Sequence, residues 1–223
     1  MDEAMTTMLK ALRLWGLRER WDEYRSKQDR ARAFRLKRAQ IPEPYVMATY
    51  PFARQPKLER KKVLAVYDSF DYVQKKRNVI LIGPTGSGKT GLATAFLTQA
   101  IERGCKGRFV RFADLVAELY AAVADHTQEK VLRQYAKYDC LLIDEVGYVE
   151  VEPAQAGLFF TLMQKRHKKR PTLITSNLGF ADWPGFLRND HLTAALLDRL
   201  SETSYVINMR RCVSIRPRME GDA

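Results

Sequence analysis

Apolar positions near the start of the chain recur at helical spacing. Met8, Leu9, Leu12 and Trp15 recur with a period of roughly 3.6 residues and mark one helix face. Thr6 or Thr7 can cap its first turn. Gly16 interrupts the pattern, and Leu17 and Trp21 resume it. From Arg25 to Arg38 the chain is almost wholly polar and basic, with Arg25, Lys27, Arg30, Arg32, Arg35, Lys37 and Arg38. Residues 1–41 therefore read as a short basic helical segment. Pro42, Pro44, Pro51 and Pro56 then fall within fifteen residues. Proline removes a backbone donor and disfavours helix in the residue before it. Residues 42–57 read as an extended linker, 58–218 as the main domain and 219–223 as a tail.

The main domain alternates two periods. Asn78–Ile82 (NVILI) is a short, uninterrupted apolar run, as expected of a strand buried on both faces. A helix is expected from about Gly88 to Arg103, and a second strand at Arg108–Phe112. Asp114 can cap a helix carrying Leu115, Leu119 and Val123. Cys140–Ile143 reads as a buried strand, Pro153 to about Lys168 as a helix and Thr172–Thr175 as a strand. Asp190–Leu200 reads as a helix and Tyr205–Asn208 as a late strand. Repeated βα units imply an α/β fold: a parallel sheet with right-handed crossovers, flanked by helices.

Composition narrows the class. Over 223 residues, 46% hydrophobic and 29% charged is a globular balance. No stretch approaches the roughly 20 uncharged apolar residues of a membrane span. The N-terminus MDEAMTTMLK carries early acids and no apolar run, which argues against a secretory signal. Cys105, Cys140 and Cys212 are scattered and odd in number, with neither a disulfide framework nor zinc spacing. A reduced, cytoplasmic protein is the expectation. The formal net charge of +12 points to a polyanionic partner, with nucleic acid the first choice.

Residues 83–90 read GPTGSGKT and fit G-x-x-x-x-G-K-[ST]. The glycines let backbone N–H groups turn toward one point, and the following helix offers its positive end to an anion. Gly83, Pro84, Thr85, Gly86, Ser87, Gly88, Lys89 and Thr90 are the ATP-binding candidates. Lys89 can reach the β- and γ-phosphates, and the Thr90 hydroxyl can ligate Mg²⁺. The motif sits between a buried strand and a helix, where the chemistry needs it.

Residues 140–145 read CLLIDE, four apolar residues ending in two acids. At that strand tip Asp144 would hold Mg²⁺ with Thr90, and Glu145 would activate the attacking water. A glutamate beside the metal aspartate favours ATP hydrolysis over transfer to another substrate. No guanine-reading Asn-Lys-x-Asp segment is visible. TLITSN (172–177) places Thr175, Ser176 and Asn177 at the same sheet edge, where Asn177 can hold the lytic water or the γ-phosphate. Arg199, in LLDRL, is either an arginine delivered to a neighbour's γ-phosphate or a surface partner of Asp198 or Glu202.

Three basic clusters are DNA-binding candidates. The first is Lys165, Arg166, Lys168, Lys169 and Arg170, five positive charges in six residues at a helix end. The second is Arg30, Arg32, Arg35, Lys37 and Arg38, and the third Arg103, Lys106, Arg108 and Arg111. Such side chains without recognition-helix spacing suit phosphate contact, hence weak sequence preference. Tyr50 and Phe52 are read as core residues or as stacking partners for adenine, and Trp15 and Trp21 as packing residues.

GPTGSGKT, CLLIDEVGY, TLITSN and LLDRL, in this order, resemble the IstB/DnaC family of AAA+ ATPases. KALRLWGL, RFVRFADLV, LITSNLGFADW and SYVINMRRCVSIRPR are similar to its IstB branch, so the likeness runs from about Thr6 to Arg218. It implies an AAA+ core using ATP and Mg²⁺, with Gly83–Thr90 as Walker A, Asp144 and Glu145 as Walker B, Asn177 as sensor 1 and Arg199 as the arginine finger. It implies a homo-oligomer with ATP at protomer interfaces, assembled on double-stranded DNA and serving a transposase; the DnaC branch loads a replicative helicase instead. A non-hydrolysing ATP-assembled DNA scaffold and a small P-loop kinase are the other readings. Gly91 departs from the family, which usually carries His there, and Arg210, Arg211 and Arg216 are the sensor-2 candidates.

Overall fold

The computed structural model describes residues 7, 8, 11 and 15–215. A long helix α1 (Trp15–Ala39) contains Gly16. Helices α2 (Arg60–Ser69) and α3 (Asp71–Gln74) precede strand β1 (Asn78–Ile82). The alternation expected from the pattern follows: α4 (Lys89–Glu102), β2 (Gly107–Arg111), α5 (Phe112–Ala124), α6 (Gln128–Ala136), β3 (Cys140–Val146), α7 (Pro153–Arg166), β4 (Thr172–Ser176), α8 (Trp183–Leu187), α9 (Asp190–Glu202) and β5 (Ser204–Asn208). The five strands form one parallel sheet in the order β2-β3-β4-β1-β5.

Strict alternation along the strands divides the core between two faces. Val79, Leu81, Phe109, Leu142 and Leu173 pack under α4 through Leu92, Phe96 and Ala100. Ile80, Val110, Leu141, Ile143 and Ile174 pack under α5, α6, α7 and α9. Each fully buried side chain of this size contributes about 1.5–3 kcal/mol of transfer free energy. Cys140 belongs to this core, and burial pushes its thiol up to about 12, so it packs as an apolar residue.

Four expectations change. Residues 42–57 are not an extended spacer: two 3₁₀ turns, Met47–Thr49 and Phe52–Arg54, fold the segment back, and Met47, Tyr50 and Gln55 are buried. The prolines set local backbone, but the apolar residues between them join the core cluster that contains α4. Asp114 does not cap α5, which begins two residues earlier at Phe112; it sits in the first turn and pairs with Arg111 at 3.3 Å. Trp21 is 46% exposed, so it is no core residue. Helix α7 stops at Arg166, two residues short of Lys168. Thr6, Arg216 and Arg218 lie outside the described residues.

Candidate nucleotide-binding site

Residues 83–88 link the carboxyl end of β1 to the amino end of α4, where ligands of parallel sheets gather. A β-carbon on Gly83 would lie 2.7 Å from the Met209 carbonyl oxygen, so only glycine lets the chain leaving β5 pass there. Gly88 precedes α4 in a left-handed conformation, φ 89°, which costs glycine little. Lys89 is buried, and its Nζ donates to the Gly83 and Pro84 carbonyls at 2.8 Å each. The ammonium, the turned backbone and the positive end of α4 thus converge on one cradle suited to phosphate.

Directly beside the cradle, the Thr90 hydroxyl donates to the Asp144 carboxylate at 3.0 and 3.1 Å. Asp144 is 3% exposed. Burial pushes its carboxyl above the usual range, and hydrogen bonds from Thr175 and Thr90 pull it partly back. Hydroxyl and carboxylate oxygens are the donor set that suits Mg²⁺, so the pair fits the ion the sequence implies. Glu145, the next residue, is exposed and takes a left-handed backbone, φ 63°.

A cavity of about 920 Å³ joins these parts. The phosphate loop, Asp144 and Glu145 line it together with Tyr45, Tyr50 and Ile215, and Tyr50 and Ile215 lie directly against Gly88. Tyr50 is both a core residue and a cavity wall: it is buried, and its hydroxyl donates to the Ser87 carbonyl at 3.4 Å. Phe52 packs edge-on against Tyr50, ring centroids 4.8 Å apart, and does not line the cavity. Tyr45 lies 3.5 Å from where a β-carbon on residue 91 would be, so its ring occupies ground that a larger side chain at Gly91 would need. A second cavity, of about 530 Å³, shares Thr90, Asp144 and Glu145 and is lined by Arg108 and Arg111.

Other expected site residues are placed differently. Asn177 follows β4 directly, and its buried Oδ1 has no hydrogen-bond partner. That is an acceptor ready for a donor, but Asn177 does not line the cavity. Arg199 sits on α9 at the opposite end of the strands, in a small pocket with Asn78, the first residue of β1. Its Nη1 donates to the Ala195 carbonyl at 2.7 Å, and its guanidinium lies 5.3 Å from the Phe160 ring. Arg210 is exposed and lies against Gly179, and Arg211 is exposed.

Arg166 is a correction. It is 1% exposed and spends its guanidinium on the Tyr135, Tyr138 and Pro171 carbonyls and the Thr172 hydroxyl. It ties α6 to β4 and presents nothing to DNA. Its neighbours are partly engaged as well: Lys165 with Glu129, Lys168 with Glu202, and Arg170 with the Ala136 carbonyl and Asp139. Lys169 is exposed. In α1, Arg32 pairs with Glu102, Arg35 donates to the Ile101 carbonyl at 3.3 Å, and Arg30, Lys37 and Arg38 are exposed.

Two contributors carry no sequence signal. Buried Gln55 donates from Nε2 to the Ser87 carbonyl at 3.0 Å and the Val213 carbonyl at 2.6 Å, and accepts from the Val213 N–H at 3.1 Å. It therefore fastens the chain after β5 to the phosphate loop. Tyr148, which lines the cavity, shares a 2.9 Å hydrogen bond with the Thr85 hydroxyl. Gln55 bonds a residue 158 positions away, a contact no local pattern announces.

Residues 8–222 match the profile of the IstB-like ATP binding protein family. The chain belongs to that family. IstB-like relatives include the insertion sequence IS21 ATP-binding protein of Pseudomonas aeruginosa, 36% identical over 84% of this chain and 71% of that protein. The insertion sequence IS5376 ATP-binding protein of Geobacillus stearothermophilus is 32% identical over 82% of this chain and 73% of that one. Among solved structures, DnaI aligns at 24% identity with TM-score 0.59, over 67% of this chain and 84% of its own. The replication initiator DnaA, solved with AMPPCP and single-stranded DNA, aligns at 17% identity with TM-score 0.60, over 74% of this chain and 49% of its own. These likenesses show the fold: the IstB-like chain has an AAA+ P-loop core, its parallel sheet flanked by helices. Among the described residues no helix is long and apolar enough to cross a membrane.

Proposed function

We propose that the chain is a Mg²⁺-dependent ATPase that binds duplex DNA and assists a transposase in selecting or remodelling its target during insertion-sequence transposition. The observation that carries the reading is the Thr90–Asp144 pair set beside a phosphate cradle, with Glu145 next to it and open to the same cavity. Gly83–Thr90 hold the phosphates, and Thr90 and Asp144 hold Mg²⁺, which supplies charge neutralisation there. Glu145 takes the proton of the attacking water. Asn177 supplies an acceptor beside β4, and Arg199 serves a neighbouring protomer's site. The insertion-sequence origin of the relatives supports a transposase as partner, and the net charge of +12 supports DNA. Exposed Arg30, Lys37, Arg38 and Lys169 remain available for phosphate contact.

The test is ATP turnover with and without duplex DNA for wild type and Glu145→Gln, with assembly followed by light scattering. Duplex DNA is expected to stimulate wild-type turnover. Glu145→Gln is expected to lose about 10²-fold or more in turnover and to accumulate an ATP–DNA assembly. Affinity for DNA should fall with salt, each phosphate contact adding about −0.9 to the logarithmic slope. Turnover and assembly both indifferent to DNA would overturn the DNA part and favour a loader of a protein partner. A helicase hexamer captured in preference to the transposase would move the chain to the DnaC branch.

A further inference from the structure

Strand β3 loses register with β4 between Ile143 and Val146. Glu145 takes up the slack in its left-handed backbone, φ 63°. Such a conformation is costly for a non-glycine residue and persists only where the surroundings hold it. Two successive hydroxyls at the end of β4 do so. The Thr175 hydroxyl accepts from the Glu145 N–H at 3.0 Å and donates to Asp144 Oδ1. The Ser176 hydroxyl donates to the Val146 carbonyl at 2.8 Å and accepts from the Leu178 N–H at 3.1 Å. Both side chains are buried, at 1% and 0% exposure. The bulge that carries the glutamate is therefore pinned by two buried hydroxyls of β4, beside the ladder that resumes at Val146 and Ser176.

We propose that Thr175 is a positioning residue for ATP hydrolysis. Its hydroxyl, bonded at once to the Asp144 carboxylate and the Glu145 N–H, sets where the Glu145 carboxylate stands relative to the metal-holding aspartate. The inference rests on the ATPase reading above. A hydroxyl has one proton and two lone pairs. With the proton committed to Asp144 and a lone pair to the Glu145 N–H, the two acids share one rigid reference point. Threonine is stiff at its first side-chain torsion, which sharpens the placement. Of the two hydroxyls on Asp144, Thr90 belongs to the metal-holding pair, so Thr175 is the donor dedicated to orienting the carboxylate.

Valine fills the volume of threonine but neither donates nor accepts. The experiment compares wild type, Thr175→Val, Thr175→Ser and Glu145→Gln in steady-state ATP turnover, and in binding of a fluorescent ATP analogue with Mg²⁺. In Thr175→Val, kcat is expected to fall on the order of 10²-fold, the loss that a misplacement of about 1 Å brings. KM and analogue affinity should stay within about threefold, because the phosphate cradle is untouched. Thr175→Ser, which keeps the hydroxyl, should recover most of kcat. Turnover in Thr175→Val within about twofold of wild type would overturn the inference, and so would nucleotide binding that falls in step with kcat. Failure of serine to rescue would overturn it too. If Thr175→Val yields no folded protein, Thr175→Cys, near in volume and weak in both bonds, takes its place with the same outcomes. If wild type turns over no faster than Glu145→Gln, the ATPase reading has failed and this inference falls with it.

Discussion

Asp144 carries its carboxylate at 3% exposure between two threonine hydroxyls. Burial holds its folded pKa above the unfolded value, with Glu145 adding to the rise and the two hydroxyls opposing it. The folded protein therefore keeps this proton to a higher pH than the unfolded chain does. Stability from this group is complete below the unfolded value of about 3.9 and is lost as pH rises through the folded one. Ionising the carboxylate in the folded protein therefore costs folding free energy. Asp144→Asn keeps the shape and removes the charge. Its Tm in metal-free buffer is expected to exceed that of wild type at pH 7, and the gap should close as the pH is lowered toward about 4. A lower Tm at pH 7, read by calorimetry, would show that the hydrogen bonds to the charged form outweigh its burial. The same variant should lose Mg²⁺-dependent turnover, so stability and function pull in opposite directions at one carboxylate.

At the scale of elements, Arg166 shows how a charge run misleads. In the sequence it is one of five cations at a helix end, indistinguishable from a solvated phosphate clamp. In the fold it closes α6, taking up the Tyr135 carbonyl from its last turn and the Tyr138 carbonyl just beyond, while α7 supplies the arginine. Arg166→Ala leaves several buried acceptors without donors and should destabilise the protein by about 3 kcal/mol or more in urea unfolding. Lys169→Ala, at an exposed neighbour, should leave stability within about 0.5 kcal/mol of wild type. A stable Arg166→Ala protein with weakened DNA binding would restore the clamp reading. What was legible in the sequence is local: the buried run NVILI, the glycine loop after it and the acid-tipped CLLIDE each carry their own signal. What was missed depends on distant partners. Prolines made 42–57 read as a spacer, because no local feature says that Gln55 closes on Ser87 and Val213. Helices α2, α6 and α8 are ten residues or fewer, too short for a firm apolar periodicity. The bulge at Glu145 depends on hydroxyls from another strand, and Thr175 showed only as a polar residue at a strand end.

The whole molecule sets the question of Arg199. The phosphate loop lies at the carboxyl end of β1, whereas Arg199 shares a pocket with Asn78 at the other end of that strand. One copy of this fold therefore cannot bring its own Arg199 to its own nucleotide without breaking the sheet. Either the arginine is structural, as its bond to the Ala195 carbonyl and its stacking on Phe160 allow, or it works on the next copy. Mixing two inactive proteins separates these outcomes. Lys89→Ala lacks a working phosphate cradle but retains Arg199; Arg199→Ala retains the cradle but offers no arginine. Where a Lys89→Ala protomer presents Arg199 to the loop of an Arg199→Ala protomer, one complete site is made. Turnover of the mixture with duplex DNA should then exceed the sum of the separate proteins and peak near equal proportions. The arginine's effect in well-studied phosphoryl-transfer sites is about 10³–10⁵-fold, so even a minority of complete interfaces stands well above background. If Arg199 is structural, Arg199→Ala loses Tm and the mixture shows no more than the sum of its parts. If Arg199→Ala alone keeps wild-type turnover, no shared site of this kind exists, and α9 holds the arginine for packing.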